Sequence, residues 1–137
     1  MGAWGSDSFE NDDAADWIAN FCDAPDHALV VNTLSGVADM DAGEYLEAPY
    51  CSEGIAAAEV VAALSGAPNT NLSGETKGCL SRLEFKIDPS LVTLALKAME
   101  RIRTNSELKE LWDESETPEE WYAALNGLEG RLRRLRP

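Results

Sequence analysis

The sequence predicts an all-α fold, a compact bundle of about five to six helices with at most one short extended or strand segment near 82–87. Three observations predict it. Apolar residues recur at spacings of three and four along most of the chain, helix-start signals stand at Asn11-Asp12, Asp88-Pro89 and Thr117-Pro118, and period-two alternation occurs once, at Leu83, Phe85 and Ile87. The 137 residues are 45% hydrophobic and include four tryptophans. One ordinary core can form from these without metal or disulfide help, so a single globular domain over residues 1–137 is expected rather than a disordered or fibrous chain.

In the first element Asp12 or Asn11 can cap a helix whose Ala14, Trp17, Ile18, Phe21 and Cys22 share one face, with Phe9 placed to pack back on the first turns. Asp12, Asp13 and Asp16 fall mainly on the outer side, where acids early in a helix are favoured by its dipole. Pro25 breaks this pattern. A second helix follows from Leu29, Val30, Thr33, Leu34 and Val37 and should end near Asp39 to Gly43, with Gly36 weakening it by about 1 kcal/mol relative to Ala.

The third helix is expected from about Ser52 to Ser65, stopped by Gly66 and Pro68. Ala57, Val60, Val61 and Leu64 line one face and Ile55, Ala58 and Ala62 the rest, so it is apolar nearly all round and should be central. Glu59 is the one charge in its interior. Residues 66–81, rich in Gly, Asn, Ser and Thr, read as an exposed connection. The alternation at 82–87 reads as an extended stretch laid over the helices, since the only candidate strand partner is the segment around Tyr45 to Tyr50.

Asp88-Pro89 starts a helix carrying Leu91, Leu94, Ala95, Ala98, Met99 and Ile102 to about Asn105, and a short segment from Ser106 brings Leu108, Leu111 and Trp112. The last helix opens at Thr117-Pro118-Glu119-Glu120, a capping-box pattern. Its Trp121, Leu125, Leu128, Leu132 and Leu135 form a seam for lengthwise packing, either on another helix of the chain or in a dimer; a monomer or weak homodimer is expected.

The formal net charge is −14, and it is distributed unevenly. Residues 1–76 hold fourteen Asp or Glu and no Lys or Arg, whereas residues 77–137 hold eleven of each sign. Such an imbalance bears on partners and solubility rather than on fold. No stretch approaches the roughly 20 apolar residues of a membrane span, and the start lacks a signal-peptide pattern, so a cytoplasmic protein without membrane attachment is expected. Met1-Gly2-Ala3-Trp4-Gly5-Ser6 fits the loose acylation pattern, but acids follow where a basic patch should reinforce the anchor.

Cys22, Cys51 and Cys79 are odd in number, far apart and without a C-x-x-C pair, so they are expected to be reduced. His27 lies five residues from Cys22; a metal site built from all four residues, or a Cys/His nucleophile pair, is weighed against ordinary buried thiols, which fit the wide spacing better.

Two acidic groups, Glu10 with Asp12, Asp13 and Asp16, and Asp39 with Asp41, Glu44 and Glu47, offer oxygen ligands. Counted from Asp39, however, the sixth and twelfth positions of a calcium loop hold Glu44 and Tyr50 instead of Gly and Glu. No Glu-x-x-His pair, phosphate loop or G-x-S-x-G elbow is present, so no metal, no cofactor and no catalytic signature are assigned. Glu59 is the one catalytic candidate, as a desolvated general acid or base; the competing reading is a buried ion pair, with Arg101 or Arg103 the expected partner. Arg131, Arg133, Arg134 and Arg136 make a basic end, yet a chain this acidic would repel phosphates, so no nucleic-acid binding is expected and these arginines should pack near the N-terminal acids.

The run Met1-Gly2-Ala3-Trp4-Gly5, followed by Phe9-Glu10-Asn11-Asp12-Asp13-Ala14 and Trp17, resembles the opening of a bacterial family catalogued as domain of unknown function 4259. Tyr45-Leu46-Glu47, the Ala-rich third helix with Glu59, and Ser106-Glu107-Leu108 to Trp112 also look like family features. The resemblance implies a small, stand-alone bacterial protein and brings no established activity. Gly2 and Gly5 would allow tight turns around Trp4, making the opening a structural clasp.

The expected function is a non-catalytic acidic interaction module, regulatory or toxin-neutralising, that engages a basic protein partner through Asp12, Asp13, Asp16, Asp39, Asp41, Glu44 and Glu47. The alternative is a small-molecule-binding protein or enzyme with a pocket near Glu59, helped by Asp16, Trp17 or Tyr45. A third reading is that acidity serves solubility alone.

Overall fold

The first helix is launched by a single side chain: Asn11 Oδ1 accepts from the Ala14 amide at 2.9 Å, satisfying a donor the helix leaves open. The computed structural model describes residues 11–69, 72–83 and 86–135, and places seven helices among them. The clasp at Gly2, Trp4, Gly5 and Phe9, the acylation pattern and Glu10 lie outside the described residues. Helix α1 (Asp12–Asp23) buries Ala14, Trp17, Ile18 and Phe21, the face its periodicity predicts. Trp17 stacks on Phe21 with ring centroids 5.4 Å apart, and its indole donates to Thr33 Oγ1 at 3.1 Å, fastening α1 to α2 (His27–Ala38). Asp26 caps α2 by accepting from the Ala28 amide.

Helix α3 (Ala48–Leu64) starts earlier than its periodicity suggests, because Pro49 is tolerated in the first turn, where its missing amide hydrogen costs nothing. Twelve of its seventeen residues are buried, and it packs against all six other helices. Small residues permit this: a Cβ added at Gly54 would lie 3.2 Å from Val37 Cγ2 of α2 and 3.4 Å from Ile102 Cδ1 of α5 (Pro89–Thr104). The helix ends in a Schellman turn, with Gly66 at φ +99°, the Gly66 amide donating to Ala63 O and the Ala67 amide to Ala62 O.

The expected count of helices was five to six, and the additional one is α4 (Gly74–Ser81), within the stretch read as an exposed connection. Ser73 caps it through the Thr76 amide at 3.1 Å, a local signal that the Gly- and Thr-rich composition masks. No strand occurs among the described residues; Glu84 and Phe85, in the middle of the expected extended segment, lie outside them.

Asp88 and Pro89 start α5 as predicted, Asp88 Oδ1 accepting from the Ser90 amide at 2.9 Å. Ser106 both donates to Ile102 O of α5 and caps α6 (Glu107–Asp113) through the Lys109 amide, so one side chain makes the corner. Helix α7 (Pro118–Leu135) lays Trp121, Leu125, Leu128 and Leu132 into the core, and the seam packs on α5 of the same chain.

Candidate functional site

Glu59, the candidate acid or base, sits on the central helix and is 1% exposed. Charge buried there requires a partner. Arg131 of α7 supplies it with a forked contact, Nη1 to Oε1 at 2.8 Å and Nη2 to Oε2 at 2.9 Å, while Asn69 Nδ2 donates to Oε2 at 3.1 Å. Arg131 Nη1 also donates to Ala67 O at 3.1 Å. The Schellman turn after α3 folds the chain back so that Ala67 and Asn69 complete this clamp.

The expected pairing of Glu59 with Arg101 or Arg103 is therefore corrected. Arg103 reaches α7 at a different carboxylate. Its guanidinium meets Glu129, Nε to Oε1 at 2.9 Å, and also contacts Glu100. Glu129 is 2% exposed and receives Arg133 as well, Nη2 to Oε2 at 3.2 Å. The hydrogen bond and field of Glu129 hold the Arg103 guanidinium more firmly protonated than usual. Glu129 was missed as a buried acid; its signal was its place one helical turn from Leu125 and Leu132 on the apolar stripe of α7. Of the basic end, Arg131 does pack against an acid of the N-terminal half, but inside the protein rather than on its surface.

Arg101 takes neither carboxylate. It spans the α2–α3 connection, with Nη1 donating to Met40 O at 2.8 Å and Asp41 O at 3.1 Å, and Nη2 donating to Glu44 O at 2.7 Å. Asn105 Nδ2 adds a bond to Ala42 O, and the Asn105 carbonyl accepts from Arg101 Nε at 2.8 Å. The second acidic group is thus pinned by its backbone, and the Asp39, Asp41, Glu44 and Glu47 side chains remain exposed. Among the described residues only Asp39 of the seven candidate acids forms an ion pair, with Lys97 at 3.3 Å, and both partners are well solvated.

More acid gathers where this connection enters α3. Glu107 of α6 donates its amide to Leu46 O and accepts the Ala48 amide at 2.7 Å, so it caps α3 from another helix in place of Glu47. Tyr45 Oη donates to Glu110 at 3.0 Å. Desolvation of the hydroxyl, this hydrogen bond, and the fields of Glu107, Glu110 and Glu47 push the Tyr45 phenol up to about 12, although the residue is 59% exposed. On α3, burial and the nearby Asp13 carboxylate push Glu53 up. Asp13 of the first group therefore faces Glu53, six residues beyond Glu47. Asp12 and Asp16 are exposed on α1, and no bond joins them to the second group among the described residues. Nor, among the described residues, do three His, Cys, Asp or Glu side chains converge to hold a metal.

The expectation of three reduced cysteines is overturned. Cys22, in the last turn of α1, is joined to Cys79 of α4 in a disulfide, their Cα atoms 5.9 Å apart. Fifty-seven residues separate them, and only the docking of α4 on α1 brings them within range. The bridge removes Cys22 as a metal ligand or as a nucleophile paired with His27. Cys51 is the free thiol, fully buried; burial pushes it up to about 11 against hydrogen bonds from Ser106 and Leu108 that favour the thiolate. No helix among the described residues is long and apolar enough to cross a membrane.

No curated protein and no solved structure matches the chain. The profile of one family, described as a domain of unknown function (DUF4259), matches residues 2–124, from the glycine-tryptophan opening to the first turns of α7 and short of Glu129 and Arg131. With nine-tenths of its length inside that match, the chain belongs to the DUF4259 family.

Proposed function

We propose that the protein is a non-catalytic acidic interaction module that engages a basic protein surface in a regulatory or toxin-neutralising role. The observation that carries this reading is the state of its surface acids, all exposed except the half-buried Asp13. Asp12, Asp13, Asp16, Asp41, Glu44 and Glu47 form no ion pair among the described residues, while the loop bearing three of them is fixed by Arg101. Negative charge held on a fixed backbone accelerates encounter with a cationic surface and saves part of the ordering cost of binding. Exposed Tyr45 and Tyr50 add faces on which arginine can stack. At Glu59 the reading as a general acid or base finds less support, because Arg131 and Asn69 engage both carboxylate oxygens.

The test is retention of a basic protein from host extract on the immobilised chain, at salt concentrations giving screening lengths of about 30 Å and about 3 Å. Binding should occur at the low salt, vanish at the high salt, and be lost in the Asp41→Asn, Glu44→Gln, Glu47→Gln variant. Retention that ignores both salt and these substitutions would count against an acidic docking face.

A further inference from the structure

We propose that the Cys22–Cys79 disulfide is a reactive cystine and the substrate of a dithiol reductant: its cleavage releases residues 72–83 from the bundle while the remaining helices stay folded. The attachment of that segment motivates this. Helix α4 is eight residues long, contains Gly74, Gly78 and Thr76, and buries only Cys79 and Leu80, so neither its propensity nor its packing holds it firmly. Among the described residues every hydrogen bond made by 72–83 closes within the segment: Ser73 with Thr76, Lys77 with Ser73 O, Ser81 with Gly78 O, Arg82 with Cys79 O and Leu83 with Leu80 O. Among the described residues, docking on α1 and α3 through Leu80, with Leu72 and Leu83 at the rim, and the disulfide itself are what remain.

The two ends of this strap differ in kind. Upstream, Ala67 and Asn69 are tied to the Glu59–Arg131 clamp by polar contacts that reductant leaves alone. Downstream, Asp88 and Pro89 enter α5. Between those fixed ends the cystine is the covalent pin.

Cys22 is partly exposed and Cys79 is 5% exposed, so an incoming thiolate reaches the Cys22 sulfur first. Attack there forms a mixed disulfide and expels Cys79 as a thiolate, which takes up a proton. The second thiol of the reductant then attacks the mixed disulfide, expelling Cys22, which is protonated in turn, and the reductant leaves as its own disulfide. Two electrons and two protons pass to the protein. Cys51 stands apart from this exchange, buried against Ser106 and Leu108 at the α6 side of α3, so the pair does not reshuffle.

The full chain is equilibrated with oxidised or reduced dithiothreitol, alkylated under native conditions and followed by hydrogen exchange. Oxidised protein should yield no alkylated cysteine; reduced protein should yield two, Cys22 and Cys79, with Cys51 labelled only after denaturation. Amide exchange over 72–83 should quicken at least about tenfold on reduction, with α3, α5 and α7 unchanged. The Cys22→Ser, Cys79→Ser variant should exchange like the reduced protein and ignore reductant; should it not fold, the wild-type comparison alone decides. Alkylation of Cys22 and Cys79 in the oxidised sample, exchange over 72–83 that ignores reduction, or quickened exchange throughout the chain would each overturn the proposal.

Discussion

Two arginines of the neutral half reach into the acidic half and do opposite things there. Arg131 grips a carboxylate, Glu59, inside the bundle; Arg101 grips three carbonyl oxygens of the 39–47 connection and leaves its carboxylates in water. The first contact neutralises an acid the fold cannot otherwise bury, and the second fixes a loop without neutralising it. An electrically lopsided sequence therefore keeps its lopsidedness after folding: a cation engaged by carbonyls leaves Asp41, Glu44 and Glu47 uncompensated, and only Asp39 of that loop finds a lysine among the described residues.

The largest test of this contrast is at Glu59. Replacing Arg131 with Met strands the buried carboxylate and should cost about 3–5 kcal/mol in denaturant unfolding, whereas Glu59→Leu combined with Arg131→Met should recover most of that loss. A double variant as unstable as the single one would mean that the clamp matters for shape rather than charge. At the other end Arg101→Met should cost about 2 kcal/mol, because the freed carbonyls regain water, and amide exchange should rise over 40–47 but not in α3. Equal loosening of both regions would erase the contrast.

Glu107→Gln weakens the cap on α3 without removing an acceptor, and a loss of about 0.5–1 kcal/mol is expected in the same unfolding assay. Lys97→Met should change stability by no more than about 0.5 kcal/mol, since the pair with Asp39 is exposed on both sides. The smallest signal is spectroscopic. Tyr45 holds its proton more tightly folded than unfolded, so its stabilising effect is complete below pH 10 and fades as pH rises toward about 12. Ultraviolet titration should show Tyr45 ionising late, with Tyr122 also raised by burial and its hydrogen bond to Asp113, and Glu110→Gln should bring Tyr45 alone back toward 10.

What the sequence disclosed, and what it withheld, divides along the same line of local against distant causes. Asn11, Asp26 and Asp88 cap helices by touching amides two or three residues away, and the buried faces of α1, α5 and α7 repeat every three or four residues; such causes are written within one turn. The central place of α3 and the burial of Glu59 were legible for the same reason. The identity of its partner was not, because 72 residues separate Glu59 from Arg131 and the choice among arginines depends on how α7 lies on α5. Cys22 and Cys79 meet only after α4 docks, and α4 itself was hidden by glycines that lower its propensity while Ser73 still starts it. Arg101 left no pattern at all, since carbonyl acceptors are shared by every residue.

The oxygens held by Arg101 and Asn105 belong to Met40, Asp41, Ala42 and Glu44, but any amino acid at those positions would present the same atom. The hold on the loop is blind to what the loop displays. Replacements at Asp41, Ala42 or Glu44 that recode charge or chemistry leave the fastening intact, so a lineage can revise what this face displays one residue at a time without risking the fold that carries it, whereas Met40 also packs against the core.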